Sequence, residues 1–414
     1  MATISPAPIF LANTFTGEVI PGFLTTTLLD VESVNLGLWS VMTDINKFNN
    51  VLLLADDGIS LVNPSAQFNA PLSSPSQNEI YLSPVRYEFM KELDLSAEIT
   101  SWESMKLPSG SMEDYDGDKE FTDFVMGRYV EKLQITNERL YWNGKALTPE
   151  ALFTQSYLGI LAKLEANSSV RKANLTNSPT SQAVTISTGG VVTHAAPAGT
   201  YSDGDVVTIV SETGGLQDTS FKVNGNAVPV SVVKQSYQIK VLTSTTFQLM
   251  NNYLNQYNAI ATFSGGPSTA AQIQCINVTN VIGFLTTVYA NLPFNVRRKP
   301  DFNLIVSLHI AYAYKAAQSL RPINVLNQFN NDKPLDFIGE KLIPLNHLQA
   351  NIILGARRSN LFLGVDKLGD FDSLEVVNMR ETTLDQTIRM KAAFKSDQTV
   401  AFGQEVYYVR PSMN

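Results

Sequence analysis

The chain has 414 residues, a formal net charge of −8 and a charged-residue content of 16%. Its single cysteine, Cys275, excludes an internal disulfide and a thiolate zinc site, and three scattered histidines disfavour a histidine-based metal centre. The acidic balance disfavours a protein that wraps nucleic acid. No signal peptide is recognisable, and no apolar run approaches the ~20 residues that span a bilayer, so we expect neither export by a signal peptide nor membrane insertion.

The first 88 residues predict an extended part of the molecule. Residues 1–45 show no sustained periodicity and contain interrupting prolines, which favours an arm rather than a core. Residues 46–88 contain strand-like runs at 51–54 and 79–85, separated by a loop rich in proline and serine. This pattern predicts a long two-stranded β excursion with a polar tip.

The strongest helical pattern covers residues 120–142. Apolar side chains recur there every three or four residues, as from Val125 through Tyr129 to Leu133. Asp118 is a candidate N-cap, and Gly144 follows the last turn as a stop. Pro149 suits the first turn of a second helix, which we expect to run to residue 165.

Residues 186–269 differ in composition from the rest of the chain. They contain only seven charged residues, and short β runs alternate there with Asp-Gly, Gly-Gly and Asn-Gly turns. This composition predicts a small all-β domain inserted into a host domain, with linkers at the glycine-rich segments 188–190 and 264–267.

The host pattern resumes after the insertion. Helices are expected at 281–293 and 309–320, and strands at 302–308, 337–343, 352–356 and 361–365. The tail predicts a β meander at 374–380, 387–395 and 400–409, in which one face is packed and one is solvated.

The sequence contains no phosphate-binding loop, dinucleotide fingerprint or nucleophile elbow. The acidic run 114–118 departs from a calcium loop, since Lys119 and Val125 stand where glycine and glutamate are required. We interpret the run as the acidic start of a helix, with a cation site as the alternative. We predict no catalytic, cofactor-binding or metal-binding residues, and therefore no enzyme.

The remaining candidate residues favour structural roles. His309 is expected in the core or at a helix start, and Cys275 as a small buried apolar residue. His194 and His347 are expected on the surface. The basic runs 297–299 and 357–358 are interpreted as surface or as salt bridging between subunits, because no aromatic residues interleave them as in nucleic-acid contacts.

Several segments resemble the major capsid proteins of tailed phages with the Hong Kong 97-like fold. Residues 121–132 (FTDFVMGRYVEK) and 138–144 (ERLYWNG) are similar to the spine helix and its exit, and residues 157–165 (YLGILAKLE) to the start of the axial domain. Residues 359–366 (SNLFLGVD), Asp370 and 376–380 (VVNMR) are similar to the last axial strand and the return to the peripheral domain. The nearest resemblance is to crAss-like phages, and the inserted block is similar to a small β module of phage structural proteins.

The resemblance implies an α+β Hong Kong 97-like capsid fold with an inserted all-β domain. The implied parts are an N-terminal arm (1–45), an extended β loop (46–88), a peripheral domain with the spine helix (89–145), a first axial part (146–185), the inserted domain (186–269), a second axial part (270–372) and a peripheral β meander (373–414).

The implied function is that of a structural capsid protein of a tailed double-stranded DNA phage. Copies would self-assemble as hexamers and pentamers into an icosahedral shell, in the virion and, during assembly, in the host cytoplasm. Implied partners are further copies, portal, scaffolding and cement proteins, and DNA enclosed without sequence-specific binding; no cofactor and no membrane are implied. The alternatives are an encapsulin-like compartment shell and a phage tail or fibre structural protein.

Overall fold

A computed structural model describes most of the chain. The described residues are 15–16, 31–43, 45, 49–55, 76–94, 119–144, 157–174, 181–195, 201–220, 222–223, 226–227, 229–233, 235–252, 260–292, 294–320, 335–365, 374–378 and 387–410.

A few helices and many strands alternate along the described residues, which confirms the mixed α+β class. Helices α1–α6 are Glu32–Asn35, Lys119–Asn143, Ile160–Ala166, Val281–Asn291, Phe294–Arg297 and Leu308–Ser319. Strands β1–β13 are Phe15–Thr16, Ser40–Met42, Asn49–Ala55, Ser76–Leu82, Val85–Asp94, Arg171–Asn174, Ser181–Ile186, Val191–His194, Val206–Ser211, Gln217–Asp218, Lys222–Val223, Asn226–Ala227 and Val230–Ser231. Strands β14–β25 are Ser236–Thr243, Thr246–Asn252, Phe263–Ser264, Ser268–Cys275, Phe302–Ser307, Asp336–Phe337, Glu340–Leu345, Ile353–Arg357, Leu361–Val365, Leu374–Asn378, Thr387–Val400 and Tyr407–Arg410.

The long strand β24 organises one sheet of six described strands. β5 pairs antiparallel with its residues 387–396, β23 with residues 388–392 and β22 with residues 396–400. β1 lies beside β23, and β2 runs parallel to β22. The predicted meander is therefore confirmed for β23 and β24, whereas the pairing of β5 with β24 had no counterpart in the sequence pattern.

The predicted last strand of the meander, at residues 400–409, is wrong, because the chain leaves this sheet there. A 3₁₀ turn at Gly403–Glu405 ends the run that begins with β24 and redirects the chain. β25 then joins a second sheet, antiparallel to β21 and parallel to β6. Gly403 lets this turn pack closely against Asn167 and Ser169, since a Cβ there would lie 3.1 Å from atoms of both side chains.

The second sheet has the strand order β19-β20-β18-β21-β25-β6 among the described residues. Its two faces contribute to different cores, as β18 shows. Leu304 and Val306 pack with the apolar sides of α4 and α6, whereas Ile305 belongs to the core that contains Leu140 and Trp142 of α2. Helices therefore cover this sheet on both sides, and its central strand is apolar and buried from Leu304 to Val306.

The inserted domain is a closed barrel with the order β14-β15-β8-β7-β17-β9. It confirms the predicted all-β character but extends beyond the predicted bounds, since β7 begins at Ser181 and β17 ends at Cys275. The barrel core is filled by apolar side chains, among them Val184, Val192, Val207, Ile209, Tyr237, Phe247, Leu249 and Ile273.

The two predicted linkers are wrong, because both lie within the barrel domain. Segment 188–190 is the turn between β7 and β8, and segment 264–267 connects β16 to β17. Gly190 and Gly265 have φ angles of 75° and 99°, which only glycine adopts readily. A flexible linker and a tight turn require the same residue type, so composition alone does not separate them.

The predicted β excursion is confirmed as an antiparallel ribbon of β3 and β4. Its register runs from Asn49 opposite Leu82 to Ala55 opposite Ser76. Neither strand pairs with any other strand that the structure describes. The predicted polar tip between them lies outside the described residues.

The predicted long helix is confirmed as α2, which covers Lys119–Asn143. It ends at Gly144, whose φ of 63° and N–H bond to the Leu140 carbonyl (3.0 Å) form the predicted stop. Gly144 lies against Gly159 so closely that a Cβ on either would overlap the backbone of the other. The second helix is described only over Ile160–Ala166, while Asp118, Pro149 and the acidic run 114–118 lie outside the described residues.

Candidate functional site

The N-terminal segment is fixed to α2 by a buried polar cluster, which we call the arm anchor: Ser33, Trp39, Glu138 and Trp142. One carboxylate oxygen of Glu138 accepts hydrogen bonds from the Ser33 backbone N–H (3.2 Å) and hydroxyl (2.8 Å), and the other accepts from the Trp142 indole (2.7 Å). The Trp39 indole donates to the Ser33 hydroxyl at 2.8 Å, and its ring lies 4.9 Å from that of Trp142.

The arm anchor corrects the interpretation of residues 1–45 as an arm outside the core. Val31, Leu38 and Trp39 are each 1% exposed and belong to the core that α2 also lines. Glu32 accepts bonds from the backbone and side chain of Asn346 (3.1 and 2.9 Å), which ties the segment to the loop after β20. Residues 31–42 are therefore an integral part of the fold.

Burial is the main influence on the Glu138 carboxyl. It raises the pKa of Glu138 to about 7, against the lowering effect of the hydrogen bonds from Ser33 and Trp142, and nearby Glu32 raises it further. Burial also raises the pKa of Glu32, opposed by the Asn346 backbone bond. Burial, and after it the charge of Arg139, lowers the pKa of His347 in the loop after β20 to about 4.

Glu138→Gln is expected to remove a pH dependence of stability. A carboxyl whose folded pKa exceeds its unfolded value stabilises the fold below the unfolded pKa of 4.5, and this contribution is lost as the pH rises through about 7. Wild type should lose roughly 3 kcal/mol from this group across that interval, and the variant should not. The measurement is urea unfolding of both proteins from pH 4.5 to 7.5.

The comparison of the two proteins isolates Glu138, since His347 and the other histidines titrate equally in both. Parallel stability curves for wild type and variant would contradict the assignment.

A second polar cluster, the ribbon base, fixes the point where β4 passes into β5. Asp397 on β24 accepts the Ser83 backbone N–H at 2.8 Å and pairs with the Lys163 ammonium. Lys163 also donates to the Gln398 carbonyl at 2.6 Å. Since the Asp397 side chain is only 9% exposed, this cluster joins ribbon, α3 and β24 at a buried point.

Tyrosine hydroxyls extend the ribbon base inward. The Tyr157 hydroxyl lies 2.9 Å from the Ser396 hydroxyl and donates to Gln398 at 2.9 Å. Tyr87 on β5 donates to Asn137 on α2 at 3.2 Å. Burial raises the pKa of Tyr87 to about 12, so these hydroxyls stay neutral and act as structural hydrogen-bonding groups.

The barrel is joined to the second sheet through Asn351. This residue is fully buried with a φ of 61°, and its amide oxygen accepts the Ile276 N–H at 3.2 Å. Its amide nitrogen donates to the Thr208 hydroxyl at 2.9 Å and contacts the Val206 carbonyl at 3.3 Å. Asn351 therefore links the loop after β20 to β9 and to the residue that follows β17.

Asn351→Gly is expected to loosen the barrel, since glycine keeps the left-handed backbone but removes all these bonds. The expected destabilisation is about 2 kcal/mol, because the Ile276 N–H loses its partner in a buried place. Asn351→Ala should cost about 1 kcal/mol more through backbone strain. Limited proteolysis together with thermal unfolding measures both effects, with exposed Lys341→Ala on β20 as control. Wild-type behaviour of Asn351→Gly would refute the role.

The histidines and the cysteine have structural surroundings. His309 is the second residue of α6 and its Nε2 lies 2.8 Å from the Ile276 carbonyl, which confirms a helix-start histidine. Cys275 is buried as predicted, and burial raises its thiol pKa. His194 is 6% exposed against Tyr201 and Phe247, so its predicted surface position is wrong. Half-buried His347 also departs from that prediction.

The two basic runs behave differently. Arg357 forms salt bridges with Asp301 (3.0 Å) and Glu405 (3.3 Å) of its own chain. Although burial raises the pKa of Asp301, hydrogen bonds from Ser359 and Arg357 outweigh it and bring the value to about 2. Arg298 and Lys299 are exposed.

Within the described ranges, no group of three or more histidine, cysteine, aspartate or glutamate side chains could hold a metal ion. None of the described helices combines the length and the apolar character needed to cross a membrane. The fold instead brings together buried polar side chains that join segments far apart in the sequence. Sequence analysis missed all of these, although the spacing of Glu138 and Trp142, one helical turn apart, indicates a possible pair.

No protein-family model and no curated protein matches the chain. Solved structures to which it is similar include one from the satellite phage P4 procapsid including size determination (Sid) protein (8% identity, TM-score 0.45, 96% of this chain and 100% of that chain). Two others are the capsid of an empty GTA particle (10%, 0.42, 92% and 89%) and Gordonia phage Cozz (10%, 0.43, 92% and 87%). With TM-scores below 0.5, these likenesses leave the function to be argued from the chain itself.

Proposed function

We propose that this chain is the major capsid protein of a tailed double-stranded DNA phage. Copies assemble as hexamers and pentamers into an icosahedral shell that encloses DNA without sequence-specific binding. The role is structural rather than enzymatic, in the virion and, during assembly, in the host cytoplasm. Portal, scaffolding and cement proteins are the further partners of this proposal.

The ribbon of β3 and β4 is the observation that carries the proposal. An isolated two-stranded hairpin is marginally stable in water, and this one pairs with no other described strand. Its base is nevertheless fixed by Asp397 and by fully buried Leu82. A ribbon with a rigid base and unpaired edges is suited to pairing with or lying across a neighbouring copy, which supplies the missing burial.

The remaining parts fit the Hong Kong 97-like plan that the sequence resembles. The sheet around β24 together with α2 corresponds to the peripheral domain, and the sheet around β18 with α4 and α6 to the axial domain. Two strands lie outside the domain that the expected bounds assign to them. β22, expected in the axial part, belongs to the sheet around β24, and β25, expected in the peripheral meander, belongs to the sheet around β18. When one surface of each subunit contacts a different surface of the next copy, repetition of this contact closes rings around five- and six-fold axes.

The net charge of −8 also fits a shell subunit. Double-stranded DNA repels an acidic wall, so packaged DNA can move without sticking to it. The acidic charge therefore fits a shell that encloses DNA without binding it.

Electron microscopy of the purified full chain, expressed alone and with its neighbouring phage genes, tests the proposal. We expect closed particles, filled with DNA in the source virion. Particles filled with an enzyme cargo would indicate a compartment shell, and elongated trimers would indicate a tail or fibre protein; either outcome, or a monomer under all conditions, would overturn the proposal.

A further inference from the structure

One surface beside α5 combines positive charge with exposed apolar side chains. The Arg298 guanidinium lies 4.5 Å from the centre of the Phe294 ring, and Arg297 lies 4.7 Å from that of Tyr289. Tyr289 in turn contacts Phe337 of the β19–β20 hairpin edge to face, with ring centres 6.3 Å apart. We call this surface the cationic tip and define it by Phe294, Arg297, Arg298, Lys299 and Ile338.

The positive charge of the cationic tip is not neutralised within the described chain. Arg298 and Lys299 are exposed, and neither forms a salt bridge with a described carboxylate. Arg297 is held by the Leu292 and Ala290 carbonyls at 3.0 and 3.2 Å. Burial raises the pKa of Glu340, and nearby Arg297 opposes this, so Glu340 is an acidic neighbour of Arg297.

The apolar part of the tip is exposed and, at one position, strained. Phe294 and Ile338 are 60% and 59% exposed. Ile338 has a φ of 53°, in the left-handed region that β-branched residues rarely adopt and that asparagine or glycine would fill without strain. The single chain gains no burial from this isoleucine, whereas a partner that covers it would supply that burial.

We infer that the cationic tip binds the acidic segment 113–118 of a second copy of this chain. The segment reads EDYDGD, with four carboxylates and one tyrosine in six residues, and it is the densest acidic run in the sequence. Its carboxylates complement the unpaired cations, and Tyr115 suits the stacked Phe294 and Arg298. The inference rests on the proposed function, because it supplies a contact between neighbouring subunits of the shell.

A charge exchange between the two surfaces tests this contact. The tip variant is Arg298→Glu with Lys299→Glu, and the segment variant is Asp114→Lys with Asp116→Lys. Each variant alone should lower particle yield by more than about tenfold, since like charges then meet at every contact. An equal mixture of the two should restore association between unlike copies, because the acidic tip of one variant meets the basic segment of the other. Both changes combined in one chain should restore closed particles, because every contact between copies is then complementary.

Lys240→Glu with Lys315→Glu is the matched control, since both lysines are exposed and lie outside the tip. It should assemble as wild type. Wild-type assembly of the tip variant would overturn the inference. So would a combined variant that assembles while the mixed single variants do not associate, which indicates a contact within one subunit. Normal particles with weakened DNA retention would overturn it too, by assigning the tip to nucleic acid.

Sedimentation velocity separates this inference from the proposed function. The mixture of the two variants should associate where each alone does not, even under conditions without closed particles. Absence of wild-type particles together with this association would refute the shell while supporting the contact. Wild-type particles without restored association in the mixture would refute the contact while supporting the shell.

Discussion

Trp39→Ala should destabilise the chain by about 4 kcal/mol and release the N-terminal segment from α2. The indole is 1% exposed, packs on Trp142 and donates to Ser33, so its removal leaves a large cavity and breaks the arm anchor. Without this anchor, β1 and β2 lose the attachment that lets them extend the sheet around β24. We therefore expect earlier urea unfolding and rapid proteolysis near residue 40.

Two further variants separate the contributions of packing and hydrogen bonding to the effect of Trp39→Ala. Trp39→Phe keeps most of the packing but loses the hydrogen bond to Ser33, and should cost about 1 kcal/mol. Val41→Ala changes a 36% exposed side chain in the same segment and should stay within about 0.5 kcal/mol of wild type. Equal effects of Trp39→Ala and Val41→Ala would contradict the anchor.

Asp397→Ala is expected to destabilise the ribbon base by about 3 kcal/mol and to abolish particle formation. The substitution leaves the Ser83 N–H without its acceptor and the partly buried Lys163 ammonium without its counter-charge. The ribbon then loses its fixed direction, so a neighbouring subunit no longer meets it in one position. Urea unfolding measures the first effect, and particle yield measures the second.

Asp397→Asn keeps an acceptor for Ser83 and should lose only the charge pairing, with an intermediate effect. Glu92→Ala is the matched control, because its pair with Arg389 joins β5 to β24 on the same sheet but is more than half exposed. Its cost should be below about 1 kcal/mol. The role of Asp397 would be refuted by wild-type stability and particle yield in Asp397→Ala.

Local patterns in the sequence predict the local elements of this fold. The apolar repeat that includes Leu133 and Leu140 predicts α2, and alternation with turn residues predicts the ribbon and most barrel strands. His194 could have been placed correctly in the same way, since the alternation along β8 puts it on the buried face with Val192.

Sheet membership and the polar clusters depend on long-range contacts that no local pattern contains. Ser33 and Glu138 are 105 residues apart, and Ser83 and Asp397 are 314 apart. β25 follows β24 in sequence but pairs with β21 and β6, because the turn at Gly403–Glu405 redirects it. Burial of Asn351 likewise requires the barrel and the second sheet to be in place together.

A reconstruction of the assembled particle at side-chain resolution tests the central claim most directly. We predict a closed shell in which the ribbon of β3 and β4 leaves its base at Asp397 and lies across a neighbouring subunit. A ribbon that packs entirely on its own subunit, or a purified chain that forms no shell, would contradict the account.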